Sequence, residues 1–86
     1  RAVQDVPPFI LAADHPLKYK GVNLVGLKRR GFSSEERKSV KKIYKIYFKS
    51  KLNRGDALNK IQNEIKSSAV KNQIVEFIKA SDRGII

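Results

Sequence analysis

Hydrophobic positions divide the chain into two unlike halves. From Ser34 onward they recur with helical spacing. Val40, Ile43, Tyr44, Tyr47 and Phe48 stand at i, i+3, i+4, i+7 and i+8, the stripe of an amphipathic helix, and predict one over roughly Ser34–Ser50. Ile46 falls off that stripe and marks a contact with a neighbouring element. Ala57, Leu58, Ile61 and Ile65 predict a helix over about Arg54–Lys66. Val70, Ile74, Phe77 and Ile78 predict another over about Ala69–Ser81, ending at Arg83-Gly84. Before Ser34 the pattern is apolar but broken. Val3, Val6 and Phe9–Leu11 surround Pro7-Pro8, which forbid both a helix and a central strand at that point. Short extended pieces fit there, followed by a connector over His15–Lys20.

Capping residues fall where the periodicity starts and stops. Asn23 caps a short helix over Leu24–Arg30, with Gly31 at the left-handed position after its end. Ser33 and Glu36 form an S-x-x-E capping box, and Phe32 precedes it as a staple residue. Asn53 or Gly55 opens the third helix, with Asp56 in its first turn, and Ser67-Ser68 opens the fourth. Amphipathic helices joined by short turns predict an all-α fold, a small antiparallel bundle.

Composition sets the chemistry. Nineteen Lys and Arg against eight Asp and Glu give a net charge of +11 on 86 residues. Such a surface seeks polyanions: nucleic acid, nucleotide phosphates, anionic lipid or an acidic protein. The absence of cysteine excludes disulfides, thiolate nucleophiles and zinc-thiolate sites. The carboxylates show no metal-ligand spacing, and His15 reads as a surface histidine of the connector. No apolar run reaches the length of a membrane span, so a cytoplasmic protein is expected. The chain starts at Arg1 and holds no methionine, which is expected of a piece of a longer protein.

The basic residues form two clusters. Lys28-Arg29-Arg30 lies between Gly26 and Gly31. Cations in a last helical turn complement the macrodipole, and one would serve. Two arginines beside glycines also match a phosphate, which the guanidinium fork can hold in a bidentate way. The second cluster is Lys38, Lys41, Lys42, Lys45 and Lys49, down one face of the second helix. That face is either simply solvated or docks an acidic protein or nucleic acid. The aromatics of this helix lie on its apolar stripe and offer no stacking platform to a single strand.

Residues Gly21–Ser33 read G-V-N-L-V-G-L-K-R-R-G-F-S. This stretch resembles the joint segment of the acyl-carrier-protein–UDP-N-acetylglucosamine O-acyltransferases of lipid A synthesis. D-V-P-P-F-I at Asp5–Ile10 resembles the end of that family's left-handed parallel β-helix, and A-S-D-R-G-I at Ala80–Ile85 resembles its C-terminal ending. The resemblance implies the last coil of a β-helix and a connector over 1–20, and a C-terminal α-helical domain over 21–86. It implies part of a homotrimeric enzyme that moves a 3-hydroxyacyl chain from acyl carrier protein to UDP-N-acetylglucosamine or a 3-amino analogue, without metal or cofactor. The family's catalytic histidine lies outside this chain, so no catalytic residue is expected here, and the piece alone is expected to be inactive. By motif position, Asn23, Arg29 and Arg30 match nucleotide-binding residues. Arg29 would face the phosphates, and Arg30 the nucleotide or the carrier protein. Lys28, Arg30, Lys41 and Lys45 are candidates for docking the acidic carrier protein. Val25 stands where the family often has a ribose-contacting glutamate. The other reading, from charge alone, is a freestanding basic helical module that binds nucleic acid.

Overall fold

The computed structural model describes residues 4–81 and 84–86. Val3, among the expected extended positions, and Arg83, at the expected end of the last helix, lie outside the described residues. The element order is β1 (Ile10–Ala13), β2 (Lys18–Val22), α1 (Leu24–Arg29), α2 (Ser34–Lys49), α3 (Arg54–Glu64) and α4 (Ala69–Ala80).

The all-α class is therefore corrected to a helical bundle carrying an antiparallel hairpin. β1 pairs with β2, Ile10 opposite Val22 and Ala13 opposite Lys18, with the register shifting between Leu11 and Ala12. The stretch expected to be a connector supplies most of β2. Asp14 turns the chain at φ 78°, and its carboxylate meets Lys20 at 2.7 Å. Lys20 is the extra residue of the bulge, and Gly21 beside it takes φ 133°. A lone hairpin is marginal in water. This one is covered, because Ile10, Tyr19 and Val22 pack against the helical core. Tyr19 stacks on Phe48 at 4.1 Å between centroids, with Tyr44 6.2 Å away.

The helices form where their caps direct. Asn23, Ser33, Asn53 and Ser68 each accept a backbone N–H three residues on. Ser33 and Glu36 close the reciprocal box. The staple does not form, since the position that would complete it is Arg37, whose guanidinium donates to the Phe32 carbonyl at 2.5 Å. α2 packs against both α3 and α4. Val40, Ile43 and Tyr44 meet Ile61, Ile74 and Ile78 in a core that Leu27 joins from α1, and Ile46 packs at its edge. Tyr44 is wholly buried, and its hydroxyl donates to the Pro8 carbonyl at 2.7 Å.

Lys71 and Arg54 bond carbonyls at the ends of helices, the first from a buried position and the second from an exposed one. Lys71 is only 3% exposed, and its ammonium donates to the carbonyls of Gln62 (3.2 Å) and Ile65 (2.8 Å) at the end of α3. Arg54 likewise donates to the carbonyls of Ile78 and Ser81 at the end of α4. Both bond carbonyls in the last turn or cap of a helix, where intrahelical partners run short. Lys71→Met is expected to cost about 2 kcal/mol, the scale of losing charged hydrogen bonds to buried acceptors. A urea unfolding midpoint that does not move would contradict this role.

The described ends of the chain meet. The Asp5 N–H donates to the Gly84 carbonyl (2.8 Å), and the Ile86 N–H to the Asp5 carbonyl (3.2 Å). The Ser81 hydroxyl donates to the Asp5 carboxylate at 2.6 Å.

Candidate functional site

The sequence G-V-N-L-V-G-L-K-R-R-G-F folds into α1 and its two caps. At the start, the Asn23 Oδ1 accepts the Gly26 N–H at 3.0 Å. A Cβ at Gly26 would fall 2.6 Å from the Asn23 Nδ2. Glycine at this position therefore leaves room for the asparagine amide to lie over the first turn. The Asn23 main-chain N–H donates to the Phe9 carbonyl at 2.9 Å, which fastens the cap to the segment before β1.

At the other end the helix closes in a Schellman motif. The Gly31 N–H bonds the Lys28 carbonyl and the Phe32 N–H bonds the Leu27 carbonyl, both at 3.1 Å, with Gly31 at φ 83°. Lys28 and Arg29 occupy the last turn and Arg30 is its C-cap. All three are exposed. Among the described residues, the side chains of Lys28 and Arg29 have no hydrogen-bond or ion-pair partner. The Arg30 guanidinium lies 5.6 Å from the Phe9 ring centroid and 5.8 Å from that of Phe32. The two rings meet edge to face at 5.3 Å. Phe9 holds φ 70°, a backbone state that a bulky side chain rarely takes.

The lysines of α2 face elsewhere. Lys38, Lys42, Lys45 and Lys49 follow i, i+4, i+7 and i+11 spacing and, with Lys41, line a groove of about 1020 Å³. Tyr19, Leu24 and Ile65 give it an apolar side, and Lys66 adds a further cation. Lys49 also lies 5.9 Å from the Tyr19 ring centroid.

The structure thus sorts the candidate residues into two places. Lys28, Arg29 and Arg30 form one contiguous cluster at the C-terminal end of α1. Asn23 stands at the opposite end, six helical residues away, which is roughly 9 Å along the axis. Lys41 and Lys45 belong to the groove, and none of the α1 cations lines it. Val25 is 65% exposed on α1. His15 is exposed in the hairpin turn, before Pro16 in a cis peptide. Sequence reasoning missed Phe9 as a neighbour of Arg30, because the prolines before it mask any periodicity. It also missed Tyr19 as a wall of the groove, for which alternation along Lys18–Val22 was the available signal. Among the described residues no group of three or more His, Cys, Asp or Glu side chains gathers as a metal site would, and no helix is long and apolar enough to cross a membrane.

The sequence profile of UDP N-acetylglucosamine O-acyltransferase, domain 2, matches residues 5–86. The acyl-[acyl-carrier-protein]–UDP-N-acetylglucosamine O-acyltransferase of Fusobacterium nucleatum subsp. nucleatum is 46% identical over 82 residues, covering 95% of this chain and 32% of the relative. The protein of the same name from Thermodesulfovibrio yellowstonii gives the same identity and the same coverage. The crystal structure of a UDP-N-acetylglucosamine acyltransferase from Bacteroides fragilis superposes with a TM-score of 0.94 at 44% identity, over 98% of this chain and 33% of that one. The chain spans about a third of the length of the relatives it matches.

Proposed function

The chain belongs to the UDP-N-acetylglucosamine O-acyltransferase family, and from that premise we propose that the intact protein transfers a 3-hydroxyacyl chain from acyl carrier protein to the 3-position of UDP-N-acetylglucosamine or a 3-amino analogue. This is the first step of lipid A synthesis. What carries the reading is the agreement in sequence and fold with such enzymes along nearly the whole chain. The intact protein works as a cytoplasmic homotrimer, and the general base lies in the part of the enzyme outside this chain.

Within that reaction the chain has two tasks. Arg29, exposed and without a partner among the described residues, takes the phosphates of the UDP-sugar, with Arg30 beside it and Asn23 contacting the nucleotide. The charge of Lys28, Arg29 and Arg30 exceeds the roughly half negative charge of the α1 C-terminus, so the end of the helix attracts an anion. Val25 cannot accept a hydrogen bond from a ribose hydroxyl, so any such contact comes from elsewhere. The second task is docking of the acidic carrier protein, through Lys28 and Arg30 at the helix end and Lys41 and Lys45 in the groove. Opposite charge over so wide a surface steers encounter more than it fixes affinity.

The test is acyl transfer by the full-length protein, with a 3-hydroxyacyl carrier protein as donor and UDP-N-acetylglucosamine as acceptor. No transfer would sink the reading. The Michaelis constant for the carrier protein is expected to rise about tenfold as salt is raised from about 50 to 500 mM. A constant that does not move with salt would remove the docking role and leave the transfer reaction standing.

A further inference from the structure

We propose that Phe9 and Phe32 are positioning residues for Arg30: their rings hold its guanidinium in place before the pyrophosphate of the UDP-sugar arrives. The proposal rests on the assignment of Arg29 and Arg30 to that ligand.

The two arginines are held differently. Arg29 has no partner among the described residues, whereas Arg30 lies within 6 Å of both ring centroids. A guanidinium beside aromatic rings is attracted by the ring quadrupole. That attraction occupies no hydrogen-bond acceptor, so the N–H donors stay available to phosphate oxygens. A carboxylate partner would neutralise the charge, and among the described residues Arg30 has none. The rings therefore orient the cation without cancelling it.

Both rings are anchored by their own backbones. The Phe32 N–H closes the Schellman motif on Leu27, and its carbonyl accepts from Arg37. The Phe9 carbonyl accepts the Asn23 N–H. Phe9 keeps its left-handed backbone with its ring against Phe32, and backbone outliers of this kind persist where the surroundings over-determine them, often beside ligand sites. One residue thus joins the Asn23 cap to the Arg30 guanidinium, which are at opposite ends of α1. An exposed arginine loses side-chain freedom when it binds, and holding it beforehand lowers that cost.

The experiment is a double-mutant cycle in the full-length enzyme, reading the kinetics of UDP-N-acetylglucosamine. Phe9→Leu and Phe32→Leu keep apolar bulk and remove the ring. Each is expected to raise KM about two- to fivefold, with a smaller effect on kcat, and Phe9→Tyr recovers most of the loss. In an Arg30→Gln background the same ring changes should add almost nothing. Equal rises in both backgrounds would mean that the rings act on the fold and would overturn the proposal, as would no rise in either. Arg30→Gln alone separates the two layers. If it leaves KM unchanged, the assignment of Arg30 to the nucleotide fails; if it raises KM while the ring variants do not, only the positioning role fails. The rings come from separate segments, so either leucine variant carries the cycle should the other not fold.

Discussion

Tyr44→Ala is expected to destabilise the fold by about 3–5 kcal/mol, the range for deleting a large buried aromatic. Tyr44 is fully buried in the middle of α2, between the helical core and the hairpin. Phe48 lies 5.8 Å from it and Tyr19 6.2 Å, ring to ring, so alanine would open a cavity under the stack that covers β2. The hydroxyl adds a separate contribution through its bond to Pro8. Tyr44→Phe isolates that bond and is expected to cost only about 1 kcal/mol. Urea unfolding of both variants measures the difference. Similar losses in the two would mean that the hydrogen bond outweighs the packing, against this account.

Tyr44 also makes the fold sensitive to alkali. Burial first, and then the neighbouring Tyr19 phenol, push its pKa well above the ordinary value. A group whose pKa is raised on folding contributes stability that is complete below its unfolded pKa, about 10 for tyrosine. That contribution fades as pH climbs beyond it. At neutral pH the phenol is fully protonated and donates to Pro8.

Reversing both charges, Arg29→Glu with Arg30→Glu, is expected to lower kcat/KM for the UDP-sugar by roughly 10²-fold in the full-length enzyme, chiefly through KM. Two bidentate donors are lost, and two like charges are placed against the phosphates. The fold should feel much less. Acidic residues in the last turn of α1 oppose its dipole by about 0.3–1 kcal/mol each, and both side chains are exposed. A near-normal unfolding midpoint together with the kinetic loss is therefore the expected pair of results. Kinetics close to those of the unaltered enzyme would remove the nucleotide role from this helix end.

What could be read from the chain was local. Asn23, Ser33, Asn53 and Ser68 cap the helices because capping joins residues three apart, and that spacing is visible in sequence. Gly31 was legible for the same reason. The hairpin was not, because its stability comes from Ile10, Tyr19 and Val22 finding cover on helices that follow later in the chain. Lys71 shows the limit in another way. A lysine signals a solvated position, yet this one is buried, because the carbonyls ending α3 give its ammonium partners. The basic clusters were visible as runs and spacings. Their division between a helix end and a groove depended on Tyr19, Ile65 and Phe9, which reach them across the fold.

The bonds that tie Asp5 to Gly84 and Ile86 have a mechanical consequence. A bundle that met the Asp5 segment at one point could pivot about it as a door does about its hinge. Here Asp5 is clasped at two backbone bonds, to Gly84 and Ile86, and by the Ser81 hydroxyl just after α4. Swinging Asp5 away from the end of α4 would have to break all three, so a pull on that segment is shared among them.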